Sequence, residues 1–165
     1  MLLPAFILLF SISSFAQDEE PLKRPSDIKV ADYDEFKNTS FDTYDESVKL
    51  AKNVAVIDND VKNYAGVMKS VLTPKLQKDL KALIEIKNSS EALRTRISSL
   101  DEKGKDLAAN SKKAGIKAPA AGKNTNSSVA ALNKSRSHLD NIGDLLNADM
   151  KLLKDELKTR GEPVE

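Results

Sequence analysis

Residues 129–157 read VAALNKSRSHLDNIGDLLNADMKLLKDEL. Counting alternately three and four residues through this stretch reaches nine positions: Val129, Leu132, Arg136, Leu139, Gly143, Leu146, Met150, Leu153 and Leu157. Seven of these nine residues are apolar. A helix that buries one narrow seam against other helices has this spacing. The stretch therefore predicts a long amphipathic helix in a bundle.

An apolar stripe of the same kind indicates a first helix over residues 41–72, with a capping box at Thr43 and Glu46 near its start. The stripe slips by one residue between Ala51 and Val54, which we expect to overwind the helix locally. The stripe positions are Phe41, Tyr44, Val48, Ala51, Val54, Ile57, Val61, Tyr64, Met68 and Val71.

A second helix is predicted over residues 74–110. Thr73 is a good N-cap, and Pro74 is tolerated at a first helical position but not in a helix interior. The run Lys87-Asn88-Ser89-Ser90 makes the middle of this helix polar, so we expect weaker packing there. The stripe positions are Leu76, Leu80, Leu83, Ile86, Ser90, Leu93, Ile97, Leu100, Gly104 and Leu107.

The third helix is predicted over residues 128–160. The preceding segment 110–126 is rich in small and basic residues and is interrupted by Gly115, Pro119 and Gly122. This composition predicts a flexible loop that serves as a solvated connector.

Three helices of matched length, each with one apolar seam, predict an all-α fold, an elongated up-down-up three-helix bundle of coiled-coil type over residues 32–161. Helices one and two either fold back as a hairpin or continue through a kink at Pro74. The hairpin is favoured, because a helix with one apolar face needs a partner to cover it.

The chain begins with an apolar run from Leu2 to Ile12, and small residues at Ser14 and Ala16 then form a cleavage pattern. This predicts a signal peptide over residues 1–16 and a secreted or periplasmic protein, although no basic residue follows the first methionine. The run is too short for a transmembrane helix, which needs about 20 apolar residues.

Residues 17–31 are polar and contain two prolines, which predicts a flexible tether. An Asp32-x-x-Glu35 start signal follows, which indicates a short helix over about residues 32–38. Thr39 and Ser40 then either cap a new helix or lie inside one helix that runs straight through.

The chain has 26 basic and 25 acidic side chains, a net charge of +1 and no cysteine or tryptophan. Near-neutrality argues against nucleic-acid binding, which normally needs a basic face. The absence of cysteine rules out disulfides and thiolate zinc sites. Aromatic residues make up 5%, which is few for a ligand pocket.

Candidate chemical groups are sparse, and we predict no catalytic, cofactor-binding or metal-binding residues. His138, the single histidine, falls on the outer face of the predicted helix and is expected to be exposed, without a second ligand three or four residues away. Asp58 and Asp60 superficially resemble part of a calcium loop, but the required glycine and closing glutamate are missing, so both are expected to be solvated.

Arg136 and Gly143 interrupt the seam of the third helix. Arg136 either pairs with a carboxylate across the bundle, which would specify the register, or extends its charge to solvent near a bundle end. Gly143 lowers helix propensity by about 1 kcal/mol relative to alanine, so we expect it to allow close approach of a neighbouring backbone.

A leader, long amphipathic helices and no catalytic pattern predict an exported non-enzymatic protein that binds another envelope or extracellular protein. The alternatives are a membrane-surface binder with amphipathic helices and a periplasmic holdase-type chaperone. A monomer is favoured over a homodimer through helices one and three, both of which carry apolar residues outside the seam: Val56, Val67, Leu72, Ile142, Leu145 and Leu152.

Overall fold

The computed structural model describes residues 21–64 and 66–164, and within them all regular structure is helical. Three long helices, α1 (Ala31–Tyr64), α2 (Thr73–Ala109) and α3 (Ala118–Thr159), pack against one another. Short 3-10 helices at Met68–Ser70 and Ser111–Lys117 lie in the two connections. The prediction of an all-helical chain with three packed helices is confirmed.

Contacts at both ends show that α1 and α2 run in opposite directions. Near the start of α1, the Tyr33 hydroxyl donates to the carbonyl of Leu107 at 3.0 Å. At the end of α1, the Tyr64 hydroxyl donates to Asp79 at 2.5 Å. The two helices therefore fold back on each other, as the hairpin alternative requires, rather than continuing through Pro74.

The connection between α1 and α2 is held by Arg160 at the end of α3. Its guanidinium donates to the carbonyls of Met68 and Val71, each at 2.6 Å. The α1 helix ends at Tyr64, before the position predicted from its stripe, and Gly66 follows with a left-handed φ of 80°. The stripe residues Met68 and Val71 still pack on the core, which explains why the apolar pattern ran past the helix end.

The α1 helix begins at Ala31 and is continuous, so of the two alternatives at Thr39 and Ser40 the helix that runs straight through is observed, and the predicted start near residue 41 was wrong. Thr39 and Ser40 looked like caps, but they lie inside α1, where Ser40 is buried. Both are small enough to pack in a helix interior, and no proline or glycine interrupts the helix there.

The predicted flexible loop over 110–126 was also wrong. Residues 111–117 form a 3-10 helix with Gly115 in the left-handed region (φ 59°), and α3 begins at Ala118 with Pro119 in its first turn. Proline fits that position because the amide it lacks has no partner in a helix anyway. It therefore starts a helix here rather than breaking a loop.

The buried seam of α3 differs from the prediction at four of its nine positions. Leu132, Leu139, Leu146, Leu153 and Leu157 are buried as expected. At the other four, the buried position lies one residue nearer the N-terminus, so Ser128, Ser135, Ile142 and Asp149 are buried there. The α3 helix packs on both other helices, and the seam they select is not the most apolar one.

The α2 seam matches the prediction closely. Its predicted stripe from Leu76 to Gly104 is buried, and Leu107 is partly buried. Asp79 is buried in addition, through its bond to Tyr64.

Residues 21–30, called the strap below, lie along the bundle. Lys117 donates to the carbonyl of Ile28 at 2.6 Å, and Asn124 donates to the carbonyl of Ser26 at 3.2 Å. Leu22 packs against the buried pair Phe41 and Tyr44. This part of the predicted tether is therefore held by the bundle, whereas residues 17–20 and the predicted signal peptide lie outside the described residues.

Candidate functional site

An open groove lies between the middle turns of α1 and α2, with a volume of about 570 Å³. Its floor is apolar, because Ile86 and Leu93 are buried at its base and Leu50 and Ile57 are partly buried along α1. The residues that line this α1–α2 groove are Glu46, Lys49, Leu50, Asn53, Val56, Ile57, Ala82, Glu85, Ile86, Ser89 and Leu93.

Two features of the sequence lie at the groove. The register slip between Ala51 and Val54 adjoins its α1 wall, and the polar run that includes Ser89 and Ser90 adjoins its α2 wall. The expectation of weaker packing in the middle of α2 therefore fits the structure. The α1 helix packs more extensively on α3 than on α2, so the α1–α2 side is the open one.

The rim of the groove carries both signs of charge. Arg96 of α2 donates to Glu46 of α1 at 2.8 Å across the groove's end, while Lys49 and Glu85 stand on opposite walls. Val56 is 65% exposed at the edge. An apolar floor with a mixed rim suits the apolar face of a protein segment better than a strongly charged small molecule.

A buried carboxyl group lies in the seam of α3. Asp149 is 4% exposed, and among the described residues its Oδ2 has no hydrogen-bond partner. Burial is the main reason that the pKa of Asp149 is raised to about 6; the Asp58 carboxylate adds to the shift and the Lys62 ammonium opposes it. The group therefore changes charge within the range of pH that cells and their surroundings reach.

Asp58 and Asp60 are each paired with a lysine rather than arranged around a cation. Asp58 accepts from Lys62 at 2.6 Å within α1, whereas Asp60 accepts from Lys75 of α2 at 2.8 Å. Within residues 21–64 and 66–164, no three histidine or acidic side chains come together as a metal site. The expectation of solvated carboxylates fits Asp60, whose side chain is 39% exposed, better than Asp58, whose side chain is 13% exposed.

His138 is half-buried, so the prediction of an exposed histidine was wrong. Its Nδ1 lies 3.0 Å from the Ser47 hydroxyl, and its ring centroid is 5.6 Å from that of Tyr44. The seam of α3 faces α1 at a slightly different angle from the predicted one, which brings His138 to the edge of the α1–α3 interface.

The contact between Ser47 and His138 joins α1 to α3, and it lacks the geometry of a serine nucleophile paired with a base. Ser47 is fully buried and donates its hydroxyl proton to the carbonyl of Tyr44 at 2.7 Å. With the Ser47 proton donated to Tyr44, the contact to His138 requires the tautomer that carries a proton on Nδ1 and donates to the serine oxygen, which is the reverse of the arrangement that activates a serine nucleophile.

Arg136 pairs across the bundle with Asp101 of α2, so the first of the two alternatives for this residue is observed. Gly143 has open space where a Cβ atom would lie, so the expected close approach there was wrong. The close approach occurs instead at Gly104, where an added Cβ would lie 2.8 Å from Cζ of Phe36.

Sequence reasoning missed Lys37 and Asp149. Lys37 is 1% exposed and pairs with Asp27 of the strap, which no local pattern announces. Asp149 was not singled out, because its neighbour Met150 was placed in the seam. The seven-residue spacing of Ser128, Ser135, Ile142 and Asp149 was the signal that pointed to it.

Comparison with protein-family models, with curated proteins and with solved structures gave no match for this chain. None of the helices within the described ranges is long and apolar enough to cross a membrane. We therefore base the function on the chain's own surfaces.

Proposed function

We propose that this chain is an exported helical protein that acts by binding another envelope or extracellular protein. The observation that carries the proposal is the α1–α2 groove, which leaves apolar side chains of two helices accessible along one side of the bundle. The occupant is an amphipathic helix of the partner, bound through its apolar face.

The dimensions of the groove favour a helix. Its α1 wall runs from Glu46 to Ile57, a length of about 16 Å at about 1.5 Å per residue, or three helical turns. Two neighbouring helices form a furrow into which the side chains of a third helix insert. A partner helix with apolar residues at i, i+3, i+4 and i+7 would cover Leu50, Val56 and Ile57.

The leader predicted over residues 1–16 supports export. When the full-length chain is produced in a bacterium with a periplasm, we expect the protein to accumulate there with Gln17 as its first residue. Mass spectrometry of the fractionated protein measures this directly. An uncleaved chain in the cytoplasm would contradict the export part of the proposal.

Photocrosslinking tests the binding part. A photoreactive phenylalanine analogue replaces Val56 in the groove, and the same analogue replaces Lys158, an exposed residue on α3, as the control. We expect a discrete crosslinked species from position 56 in cells that produce the protein natively, and none from position 158.

A second substitution connects that species to the groove. Ala82 lines the groove and is only partly buried, so Ala82→Glu places a charge on the floor without altering the core. We expect the crosslink from position 56 to be lost in this background. A crosslink that persists, or equal crosslinking from both positions, would reject the groove as the binding site.

A further inference from the structure

The strap makes its contacts with the bundle. Arg24 donates to Asp42 and Asp45 at 2.6 and 3.1 Å, and Asp27 pairs with the buried Lys37. Main-chain carbonyls of the strap accept from Lys117, the last residue of the 3-10 helix before α3, and from Asn124 of α3. A strap from a second copy of the chain would find the same partners in the same places.

The connection between the strap and α1 is short and strained. Lys29 has a φ of 60°, a conformation that residues with a Cβ atom rarely adopt. Only Val30 separates it from the first residue of α1. Rotation at Lys29 into the ordinary range of φ would release the strain and swing the strap away from its own bundle.

The surface that the strap covers is unfavourable when the strap leaves it. Lys37 is 1% exposed, and its ammonium would lose the Asp27 carboxylate that pairs with it. Departure of the strap also uncovers the apolar surface of Phe41 and Tyr44 on which Leu22 packs. An opened chain is therefore stabilised when this surface is covered again, and the strap of another copy is the segment that matches every contact.

We propose that two copies of this chain exchange their straps, with Lys29 as the hinge, so that each Lys37 is paired with Asp27 of the other copy. This inference goes beyond the proposed function and uses a different face of the bundle, between α1 and α3. A tethered strap has an effective concentration of about a millimolar at the surface of its own bundle, so the closed monomer predominates in dilute solution. Exchange is favoured where copies are concentrated.

A mixing experiment on the full chain tests the exchange, because the protein contains no cysteine of its own. One preparation carries Arg24→Cys and the other, isotopically labelled, carries Asp45→Cys. Both positions are exposed, and their side chains are 3.1 Å apart across the strap contact. The two are mixed at about a millimolar concentration, warmed, cooled and treated with a short bismaleimide.

Strap exchange predicts a covalent dimer that contains one labelled and one unlabelled chain. The matched control pairs Arg24→Cys with Lys158→Cys, which is exposed at the other end of α3, and should give only background crosslinking. Mixed-label dimer no more abundant than in this control would overturn the proposal.

A hinge variant provides a second measurement. Lys29→Gly removes the strain of the closed form, since glycine adopts positive φ without penalty. We expect the yield of mixed-label dimer to fall about a hundredfold where the dimer is the minor species, because exchange relieves one left-handed residue, worth about tenfold, in each of the two copies. An unchanged yield would reject Lys29 as the hinge.

Discussion

Asp149 shows how one side chain can make a helical bundle sensitive to pH. It occupies a seam position between Leu146 and Leu153, where the other buried residues of α3 are mostly apolar or small. Its carboxyl is stabilised in the neutral form, with a pKa of about 6 in the folded protein, mainly because of burial. The unfolded chain has the ordinary value of about 3.9.

The sign of the pH effect follows from these two values. The folded state binds the proton more tightly, so the contribution of Asp149 to stability is present below pH 4 and is lost as the pH rises from about 4 to 6. At pH 7.5 the ionised carboxylate is destabilising. We predict that Asp149→Asn raises the free energy of unfolding at pH 7.5 by about 3 kcal/mol and has little effect at pH 4.

Urea unfolding of wild type and variant between pH 4 and 8 measures this difference. Asp144→Asn is the matched control, because Asp144 is exposed on the same helix and should leave the pH dependence unchanged. A constant offset between Asp149→Asn and wild type across the whole range would show that the carboxyl does not titrate as described.

Two glycines in helix interiors should respond to alanine with opposite signs. At Gly143 nothing lies within 4 Å of an added Cβ, so Gly143→Ala should stabilise the protein by about 0.5–1 kcal/mol through helix propensity. At Gly104 the new methyl would lie 2.8 Å from the buried Phe36 ring, so Gly104→Ala should destabilise it by about 1 kcal/mol or more. Thermal unfolding compares the two, and equal shifts would contradict the packing described at Phe36.

At the scale of helices, the elements best predicted were those whose ends carry strong local signals. Pro74 lies in the first turn of α2 as predicted, but the helix begins one residue earlier, at Thr73, so the prediction of Thr73 as its N-cap was wrong: Leu72 holds that position without a side-chain cap. The seam of α2 is regular throughout. The starts of α1 and α3 were missed for a common reason, which is that one residue type occurs in two structural positions. A serine such as Ser40 occurs both as a helix cap and in a helix interior, and a proline such as Pro119 occurs both in loops and in the first turn of a helix. Tertiary packing determines which of the two positions is adopted, and the local sequence carries no information about that packing.

The register of α3 can be tested with two leucines. Leu146 is 3% exposed and Leu152 is 52% exposed. Leu146→Ala should lower the free energy of unfolding by about 2–5 kcal/mol, whereas Leu152→Ala should change it by less than about 0.5 kcal/mol. Equal shifts of the urea midpoint would mean that α3 is rotated relative to the structure described above.

At the scale of the molecule, the α1–α3 interface has a polar end and an apolar end. Near the strap it contains small or polar buried residues: Lys37, Ser40, Thr43, Ser47, Asn124, Thr125, Ser128 and Ser135. Several of the hydroxyls donate to carbonyls of their own helix and bury little apolar surface. Towards the connection between α1 and α2, valine, leucine and tyrosine side chains form the core.

This asymmetry predicts uneven local stability. Segments with few buried apolar contacts open at a lower free energy than the global transition. Amides of residues 118–131 in α3 should therefore exchange with solvent faster than those of residues 139–153. Native-state hydrogen exchange followed by mass spectrometry measures both, and uniform protection along α3 would contradict an uneven core.

The α1–α2 groove was only partly foreseeable. The slip between Ala51 and Val54 indicated local overwinding of α1, and the polar run before Glu91 indicated weaker packing of α2. Neither showed that the two defects would face each other, because that depends on how far α1 and α2 are pushed apart by their contacts with α3. The strap was not foreseeable either, since the buried Lys37 has no signature among the surrounding residues.

The direction of the strap determines how the protein would sit on a support. The strap runs back along α1, so Leu22 lies beside Tyr44 and Val48 rather than at a tip of the bundle. A handle fused directly ahead of Pro21 would emerge from the side of the helical bundle. A molecule immobilised through that handle would lie along the surface, whereas one immobilised after Val164 would stand upright on its end.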